Sequence, residues 1–473
     1  MRSRLIVLSK AVSFLYWGRK QTRQPRLGKG RAAIGLGLLA AALLTIDLPA
    51  KTGRTSKAFA LWEEAGKCAS AVLWPGFEPE KMPTLIFDGS NTYAFGFASL
   101  PKGFSPAENR PGVGVTKGRH PLLVADQRVQ LDNVYAASCL AFPEFFRESP
   151  RLLMGTLIHE QFHVFQALRH PDWLPNDAHL FSYPPDTADS VFLSRLEVEA
   201  LKRAVLSEDD EEARGWAASG LAYRLERHRS LPQSLARYED EVQRLEGLAQ
   251  YVEWKVNGQG LLDNLFNLDF APGAIREWGY VSGRWLGNIL DRLDAAWKQE
   301  LDAGQYAYLA QRLAKVVEGA DERYRFSPEE VAGLRRRAEE DLKVKQASQV
   351  NLRKRLESGL GWKIEIIARK DPLRVRFFLA DQSEALSPRE LLHCRRLTLA
   401  GRSLDLEAYN QECLTDSEGP GKVERVLIPG LDRKPRVERV SKRRMIRAPG
   451  LLILFGRASI SLRGKTLRVE LSP

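Results

Sequence analysis

The sequence has few cysteines and few histidines, so both residue types are informative where they occur. It contains four cysteines and seven histidines among 473 residues. No two cysteines form a C-x-x-C pair, which excludes a zinc ribbon and a thioredoxin-like redox motif. Internal repeats and long low-complexity tracts are also absent from the sequence. With 44% hydrophobic and 27% charged residues, the composition is that of an ordinary globular protein, long enough for two or three domains.

Acidic residues are absent from the first 31 positions, where nine basic residues precede an apolar run. The run, Ala32 to Ile46, is short for a membrane span and typical of a signal-peptide core. The basic flank places the N-terminus in the cytoplasm. Leu48-Pro49-Ala50 and Ala58-Phe59-Ala60 are candidate cleavage sites, and retention of 32–48 as a membrane anchor is the alternative. We therefore predict that residues 1–60 direct the protein to the cell envelope or out of the cell.

The four cysteines fall in two parts of the chain, which suits an oxidising compartment. The simplest pairing joins Cys68 to Cys139 and Cys394 to Cys413, and four unrelated buried thiols are the alternative. The formal charge of +12 comes largely from the N-terminus and the C-terminal third, including residues 436–447. Neither stacking aromatics nor a known reader motif accompanies that basic stretch. We therefore expect a solvated face or contact with anionic envelope polymers, and no nucleic-acid partner.

The hydrophobic pattern predicts an α+β protein with a changing period along the chain. Residues 61–150 are expected to be β-rich, with a hairpin formed by 84–87 and 92–97 and further strands at 120–125 and 129–139. Residues 151–345 are expected to be mainly helical and to form one domain with the β-rich part. Residues 346–473 are expected to form a C-terminal all-β domain. The predicted helices are 152–168, 190–207, 211–229, 234–257, 274–303 and 328–345.

Residues 156–165 contain the pattern H-E-x-x-H within an otherwise uncharged, mostly apolar helix. Positions i and i+4 share one face of a helix, so His159 and His163 can offer two imidazoles to one zinc ion. Glu160 is placed to polarise a water on that metal. A buried helix has no structural reason to contain these three polar residues, because burying them unpaired is costly. Two satisfied core histidines are the alternative.

A catalytic zinc needs a third protein ligand besides its water. His170 lies about 10 Å further along the helix than His163, too far to reach the same ion. The extended metzincin pattern H-E-x-x-H-x-x-G-x-x-H is not met, because Gln166 and Arg169 occupy its last two fixed positions. A glutamate from a second helix is therefore the expected solution.

The best candidate for that second helix is Leu245 to Glu253. Glu246, Gln250 and Glu253 share one face of it, so Gln250 can hydrogen-bond a liganding histidine while a glutamate binds the metal. Small residues between them, Gly247 and Ala249, allow a close approach of the two helices.

Glu197 and Glu199 are nearer to the histidines in sequence and compete for the ligand position. Their ordinary interpretation is a solvated helix with acid–base pairs, such as Glu199 with Arg203 at i+4. The residues alone leave the choice among Glu246, Glu253, Glu197 and Glu199 open.

Together the two segments resemble the gluzincin group of zinc metallopeptidases, which combine H-E-x-x-H on one helix with Glu-Gly-x-Ala-x-Tyr on a later one. Here the second motif runs from Glu246 to Tyr251, and the resemblance extends over residues 152–253. It implies a zincin-like fold, a zinc cofactor and Glu246 as the third ligand. Two features depart from the pattern. The gap between the motifs is far longer than in thermolysin-like members, and the Asp that they have four residues after the ligand is here Gln250.

A side-chain donor for the oxyanion is also expected in such a site. Tyr280 is the first candidate, because glycines repeat every four residues from 279 to 287 and predict a smooth helix packed against the metal-binding pair. Tyr251 and Tyr183 are the other candidates. The alternative is that Tyr280 is a core aromatic with a satisfied hydroxyl.

These expectations combine into an exported zinc metallopeptidase that acts on peptide or protein substrates. His159, His163 and Glu246 would bind the metal, Glu160 would be the general base, and strands before the helix would offer an edge for an extended peptide. A non-catalytic envelope-binding protein on a zincin-like scaffold and a zinc hydrolase of a non-peptide amide are the alternatives. Glu160 favours catalysis, because a purely structural metal site does not need it.

Overall fold

The computed structural model describes residues 57–68, 73–108, 110–142, 150–184, 186–257, 270–320, 324–418 and 421–472. The apolar run at 32–46 and the nearer cleavage site at 48–50 lie outside these residues. The described residues form ten α-helices and three β-sheets, which confirms the α+β class. None of the helices in these ranges is both long and apolar enough to cross a membrane.

The helices are α1 (Lys57–Gly66), α2 (Pro150–Arg169), α3 (Ala188–Leu206), α4 (Asp210–Arg229), α5 (Gln233–Val242), α6 (Leu248–Asn257), α7 (Ile275–Leu293), α8 (Trp297–Asp302), α9 (Leu309–Val316) and α10 (Pro328–Ser358). The strands before α2 are β1 (Thr84–Phe87), β2 (Asn91–Phe95), β3 (Ser105–Pro106), β4 (Gly114–Lys117), β5 (Gln127–Leu131) and β6 (Val134–Leu140). Those after α10 are β7 (Trp362–Ile367), β8 (Arg374–Phe378), β9 (Ser383–Ala385), β10 (Glu390–His393), β11 (Arg396–Ala400), β12 (Leu404–Tyr409), β13 (Cys413–Ser417), β14 (Val423–Leu431), β15 (Val437–Val440), β16 (Arg443–Ala448), β17 (Leu451–Phe455), β18 (Ala458–Arg463) and β19 (Thr466–Leu471).

The chain divides into two compact units, and each unit is formed by three segments that are separated in sequence. The first unit contains the described parts of Met1–Leu174, Leu245–Phe266 and Lys298–Gln305, and the second contains those of Pro175–Arg244, Asn267–Trp297 and Tyr306–Pro473. Segments far apart in sequence are therefore brought together within each unit. The predicted domain boundary between residues 345 and 346 falls inside α10.

The first unit is built on a six-stranded sheet with the order β3-β4-β2-β1-β6-β5. The strands pair antiparallel except β1 and β6, which are parallel. Helix α2 packs against β6 and β5. Its Gln161 amide donates to the Thr84 hydroxyl at 3.0 Å, and its Phe162 ring meets Trp74 and Phe77 edge-on. These contacts fix the helix that contains the H-E-x-x-H pattern on one face of the sheet.

Two prolines bound helix α2. Pro150 occupies the first turn, where its missing N–H costs nothing, and Pro171 lies two residues after the last helical residue, Arg169. Every residue from Leu153 to Gln166 is buried. The helix is thus enclosed around its polar residues, as the sequence predicts.

The second unit ends in two facing sheets. One has seven strands in the order β18-β19-β7-β14-β13-β10-β9, and the other has six in the order β15-β16-β17-β12-β11-β8. Alternate residues of both sheets fill one core cluster, for example Ile364 and Val426 from the first sheet and Leu406 and Ile453 from the second. The described residues after α10 are therefore mainly strands, as predicted for the C-terminal part.

Two strand predictions in the first unit are corrected by the structure. Residues 129–139 are not one strand, because Asp132 and Asn133 adopt positive φ angles of 48° and 66° and turn the chain between β5 and β6. Residues 120–125 form turns rather than a strand. Leu123 is nevertheless fully buried, so its hydrophobic signal reflects the core and not strand pairing.

The predicted disulfides are absent, and all four cysteines are free thiols. In the C-terminal sheets, His393 of β10 is paired with Cys413 of β13, and neighbouring residues of a strand point to opposite faces. Cys394 is therefore directed away from Cys413, which explains why Cys394 is exposed and Cys413 is buried. The Cys68 sulfur lies 3.9 Å from the Glu64 carbonyl of α1, while Cys139 is buried.

Candidate metal centre

The candidate metal centre lies within the first unit, between α2 and the start of α6. Helix α2 supplies His159, Glu160 and His163. The two helices approach closely at Gly155, where a Cβ atom would lie 2.2 Å from the Asn257 side-chain nitrogen. A larger residue at that position would therefore force the Asn257 side chain to move.

The third predicted ligand, Glu246, lies in a π-helical turn, Gln243–Gly247, which connects α5 to α6. The sequence predicts one continuous helix over 234–257. A π-turn accommodates one extra residue and rotates the helix beyond it, and such turns are frequent at functional sites. The turn thus changes which residues of 245–253 point toward α2.

Three short separations define the centre. Nε2 of His163 lies 3.1 Å from Nε2 of His159 and 3.1 Å from Oε2 of Glu246. Nε2 of His159 lies 3.8 Å from the same Glu246 oxygen. The three side chains belong to residues that are between 5% and 7% exposed. Among the described residues, His159, His163 and Glu246 form the one buried group able to hold a metal ion.

These separations match those of ligand atoms around a zinc ion. In a tetrahedral site with bonds of about 2.0–2.1 Å, two ligand atoms lie about 3.3–3.4 Å apart. The three observed separations of 3.1, 3.1 and 3.8 Å fall on either side of that value. The two imidazoles and the carboxylate therefore converge on one point at bonding distance.

The opposite ring nitrogens are held by other side chains. Nδ1 of His159 lies 3.0 Å from Oε2 of Glu253, and Nδ1 of His163 lies 2.8 Å from Oε1 of Gln166. If each Nδ1–H donates to its oxygen, each Nε2 keeps its lone pair for a metal. This arrangement, with a carboxylate or amide oxygen behind each liganding histidine, is common around protein metal sites.

The supporting oxygens are themselves fixed. Gln250 donates to Glu253 at 2.9 Å, and Gln166 donates to the Leu245 carbonyl at 3.0 Å. The prediction that Gln250 hydrogen-bonds a liganding histidine is therefore wrong. Gln250 bonds to Glu253, and Glu253 in turn contacts His159. Glu253 is a partner of His159 and not a ligand in the group around His163.

Charges around His159 act in opposite directions. Burial lowers its pKa, while hydrogen bonds and charge from Glu246 and Glu253, together with the charge of Glu160, raise it to about 10. A histidine binds a metal only as the neutral imidazole, so cation binding and protonation of His159 compete. The affinity for a cation therefore rises as the pH rises.

Glu160 provides an independent test of the fit. Its side chain is 1% exposed, and its Oε2 atom is buried without a hydrogen-bond partner among the described residues. A buried carboxylate oxygen without a donor is costly. A bound water molecule would supply the missing donor. The group of His159, His163 and Glu246 could therefore hold a metal ion, with a water molecule beside Glu160.

Comparison with known proteins finds no significant match of the chain to a protein-family model, a curated protein or a solved structure. The chemistry of the centre is consequently inferred from its own geometry.

The candidate tyrosines have other partners. Tyr280, on α7 in the second unit, donates to the Asp381 carboxylate at 3.3 Å, and its helix packs against α5 at Gly279, where a Cβ would lie 2.6 Å from Val242. Tyr183 of the same unit bonds to Glu239. Tyr251 is fully buried in the first unit, where the Lys298 ammonium lies 5.0 Å from its ring. The hydroxyl of Tyr280 thus contacts a carboxylate of its own unit.

Glu197 is not the solvated residue that the sequence suggests. It is 1% exposed and forms ion pairs with Arg224 at 3.0 Å and Arg227 at 3.4 Å. Both arginines have a second acidic partner, Asp240 for Arg224 and Glu239 for Arg227. This buried ion-pair network joins α3, α4 and α5 in the second unit. The periodicity of α3 did not reveal it, because the sequence does not show which residues face Glu197.

Glu199 does form the surface pairs that the sequence predicts. It contacts Lys202 and lies 3.7 Å from Arg203. Neither it nor Glu197 belongs to the group around His159 and His163.

Removing the Glu197 carboxylate should destabilise the second unit. Glu197→Ala leaves Arg224 and Arg227 buried with one acidic partner fewer, at a cost of about 3 kcal/mol in the free energy of unfolding. Urea unfolding measures the change, with Glu199→Ala as the control expected to stay within about 0.5 kcal/mol of the parent. Equal stability of the two variants would contradict the role given to Glu197.

Proposed function

We propose that the protein is a zinc-dependent metallopeptidase of the zincin type, related to the gluzincins. The observation that supports this most is the convergence of two Nε2 atoms and the Glu246 carboxylate, next to a buried Glu160 whose Oε2 atom has no hydrogen-bond partner among the described residues. Two histidines and a glutamate are a common ligand set of catalytic zinc. Zinc is favoured because imidazole nitrogens are poor ligands for the harder Mg²⁺ and Ca²⁺.

A bound zinc ion would polarise the substrate carbonyl and lower the pKa of its water to about 7. Glu160 accepts the proton of the attacking water and later donates it to the leaving nitrogen of the peptide. Glu253 and Gln166 keep the rings of His159 and His163 in orientation during this exchange. Each of these residues thus has one role in peptide hydrolysis.

The relationship to gluzincins is supported by the way the chain compensates for its departure from their pattern. Gln250 stands where those enzymes have an Asp four residues after the ligand. Here Glu253 approaches His159, and Gln250 holds Glu253 in place. A carboxylate therefore supports His159, and it comes from Glu253 rather than from position 250.

An extended peptide is the substrate that suits this unit. Strand β5 is the last strand of its sheet, so one side of its backbone has no strand partner among the described residues. The same strand contacts α2. A peptide added along β5 would pass beside the centre, and its backbone would complete the hydrogen bonds of that edge.

Export remains part of this proposal. The cysteines form no disulfides and so give export no support. The support that is left is the basic flank and the apolar run at the N-terminus. Cleavage after Ala60 would remove Phe59, whose ring packs edge-on against Phe95 at 5.3 Å. We therefore favour cleavage near Ala50, or retention of 32–48 as an anchor with the catalytic unit outside the cytoplasm.

The proposed function is tested by digestion of a broad peptide library with the purified, zinc-loaded chain. We expect cleavage of peptide bonds that stops when a chelator removes the metal and resumes when zinc is restored. Products identified by mass spectrometry would also give the residues flanking the cleaved bond. A zinc-loaded protein that cleaves no member of the library would contradict the peptidase proposal.

A further inference from the structure

A cationic side chain lies on the face of the first sheet that supports the metal centre. Arg128 belongs to β5 and is paired with Ala137 of β6, which in turn is paired with Thr84 of β1. Paired residues share a face of the sheet. Thr84 accepts a hydrogen bond from Gln161 of α2, so this row of residues faces the helix of the H-E-x-x-H pattern. Arg128 stands at the end of that row, on the open edge of the sheet.

The position of Arg128 relative to the ligands is shown by its contacts. Its Nη1 atom lies 3.5 Å from the backbone carbonyl of His163. Burial lowers the pKa of Arg128, and the nearby charges of Tyr135, Glu160 and Glu246 oppose that change. The guanidinium therefore lies against the backbone of His163, one of the proposed metal ligands.

Most of the donors of Arg128 are unused. Among the described residues, its guanidinium makes one long hydrogen bond, to His163, and has no carboxylate within ion-pair distance. The side chain is half-buried and lies 5.1 Å from the centroid of the Tyr135 ring, which restricts its motion. An arginine held in this way presents several N–H groups in a planar fork, the geometry that binds a carboxylate through two hydrogen bonds.

A purely structural role does not explain this arrangement. The buried arginines of the second unit, Arg224 and Arg227, each contact two carboxylates. Arg128, in contrast, has no carboxylate partner among the described residues. Its charge is thus available at the sheet edge along which the substrate is proposed to lie.

We propose that Arg128 binds a carboxylate of the peptide substrate close to the scissile bond, an inference that rests on the proposed peptidase function. The carboxylate is either the free C-terminus or an acidic side chain, since both present the same two oxygens. Arg128 then determines specificity, while His159, Glu160, His163 and Glu246 perform the chemistry. The enzyme is consequently selective for substrates with a negative charge beside the cleaved bond.

The test uses binding of small metal chelators and needs no turnover. Succinic acid monohydroxamate and its primary amide differ only in having a carboxylate or a neutral amide at the end away from the hydroxamate. Isothermal titration with the zinc-loaded chain should show the carboxylate binding about 10- to 100-fold more tightly, as expected for a charge-assisted bidentate contact. Arg128→Gln should remove this preference, while zinc content and affinity for the amide stay as in the parent. Arg128→Lys, which keeps the charge without the fork, should retain part of it.

Each outcome of the titration decides a separate point. Equal affinity of the parent for the two compounds, or a preference that survives in Arg128→Gln, overturns the role of Arg128 and leaves the metal centre intact. Failure of both hydroxamates to bind the zinc-loaded parent shows that no open coordination position exists. That result overturns the proposed function, and this inference with it.

Peptides then identify the source of the carboxylate. Matched substrates have glutamate or glutamine beside the scissile bond, each with a free or an amidated C-terminus. Dependence of kcat/KM on the C-terminus assigns Arg128 to the terminal carboxylate, and dependence on glutamate assigns it to a side chain. In either case the dependence should disappear in Arg128→Gln. A rate that depends on neither group in the parent contradicts the proposal.

Discussion

Replacing Glu160 with glutamine should leave a folded, zinc-binding protein that hardly hydrolyses peptides. The amide keeps the size of the side chain but cannot accept the proton that the attacking water loses. We expect kcat to fall by about 10²- to 10⁴-fold, the range that general-base catalysis contributes. The measurement is the rate of cleavage of the best library peptide at equal zinc occupancy.

Glu199→Gln is the matched control for this variant. It makes the same carboxylate-to-amide change on a partly exposed helical residue outside the centre. Its rate should equal that of the parent. If Glu160→Gln also cleaves at the parental rate with zinc bound, Glu160 is not the base and the proposed mechanism fails.

Loss of the Glu246 carboxylate should weaken zinc binding by on the order of 10²- to 10³-fold. The free energy of zinc binding is about 10–16 kcal/mol in structural sites. If four ligands contribute equally, the contribution of one ligand corresponds to this fold-change in affinity. In Glu246→Ala, two imidazoles remain without the negative charge that offsets the cation. Competition with a chromophoric chelator measures the affinity, and circular dichroism should show unchanged helical content.

Glu253→Ala separates a ligand from its support. Glu253 contacts Nδ1 of His159, whereas the proposed metal ligands converge at Nε2. The loss of such a partner weakens zinc binding by about 10- to 100-fold. Glu253→Ala should therefore bind zinc more tightly than Glu246→Ala. The reverse order would make Glu253 the third ligand and would remove Glu246 from that role.

The part of the centre that could be predicted from sequence is the part that depends on one helix. His159 and His163 are four residues apart, so helical geometry alone places them on one face. The apolar residues around them predicted a buried helix, and α2 is buried from Leu153 to Gln166. The hairpin of β1 and β2 was predicted for a similar local reason, since a turn signal separates two apolar runs.

The rest depends on contacts between distant segments. Glu246 was proposed from a resemblance; the structure places it in a π-turn and packs Gly155 of α2 closely against Asn257 of α6. Neither the π-turn nor this contact produces a recognisable periodicity in the sequence. Arg128 gave no signal either, because it comes from an edge strand 35 residues before His163.

Burial of charge was the main source of error. Glu197 and Glu199 are two residues apart on one helix and have similar sequence surroundings. Only the tertiary structure shows that Glu197 meets buried arginines while Glu199 meets surface cations. The Asp132–Asn133 turn, in contrast, had a local signal, since both residues tolerate positive φ and favour two-residue hairpins.

The metal content of the purified chain tests the central claim most directly. Elemental analysis after exposure to zinc and removal of weakly bound ions should give about one zinc per molecule, because three protein ligands around an open position form a catalytic site. His163→Ala should lose most of that zinc and remain folded. A parent without zinc, or a His163→Ala variant with full zinc occupancy, would contradict the assignment of His159, His163 and Glu246 as a metal centre.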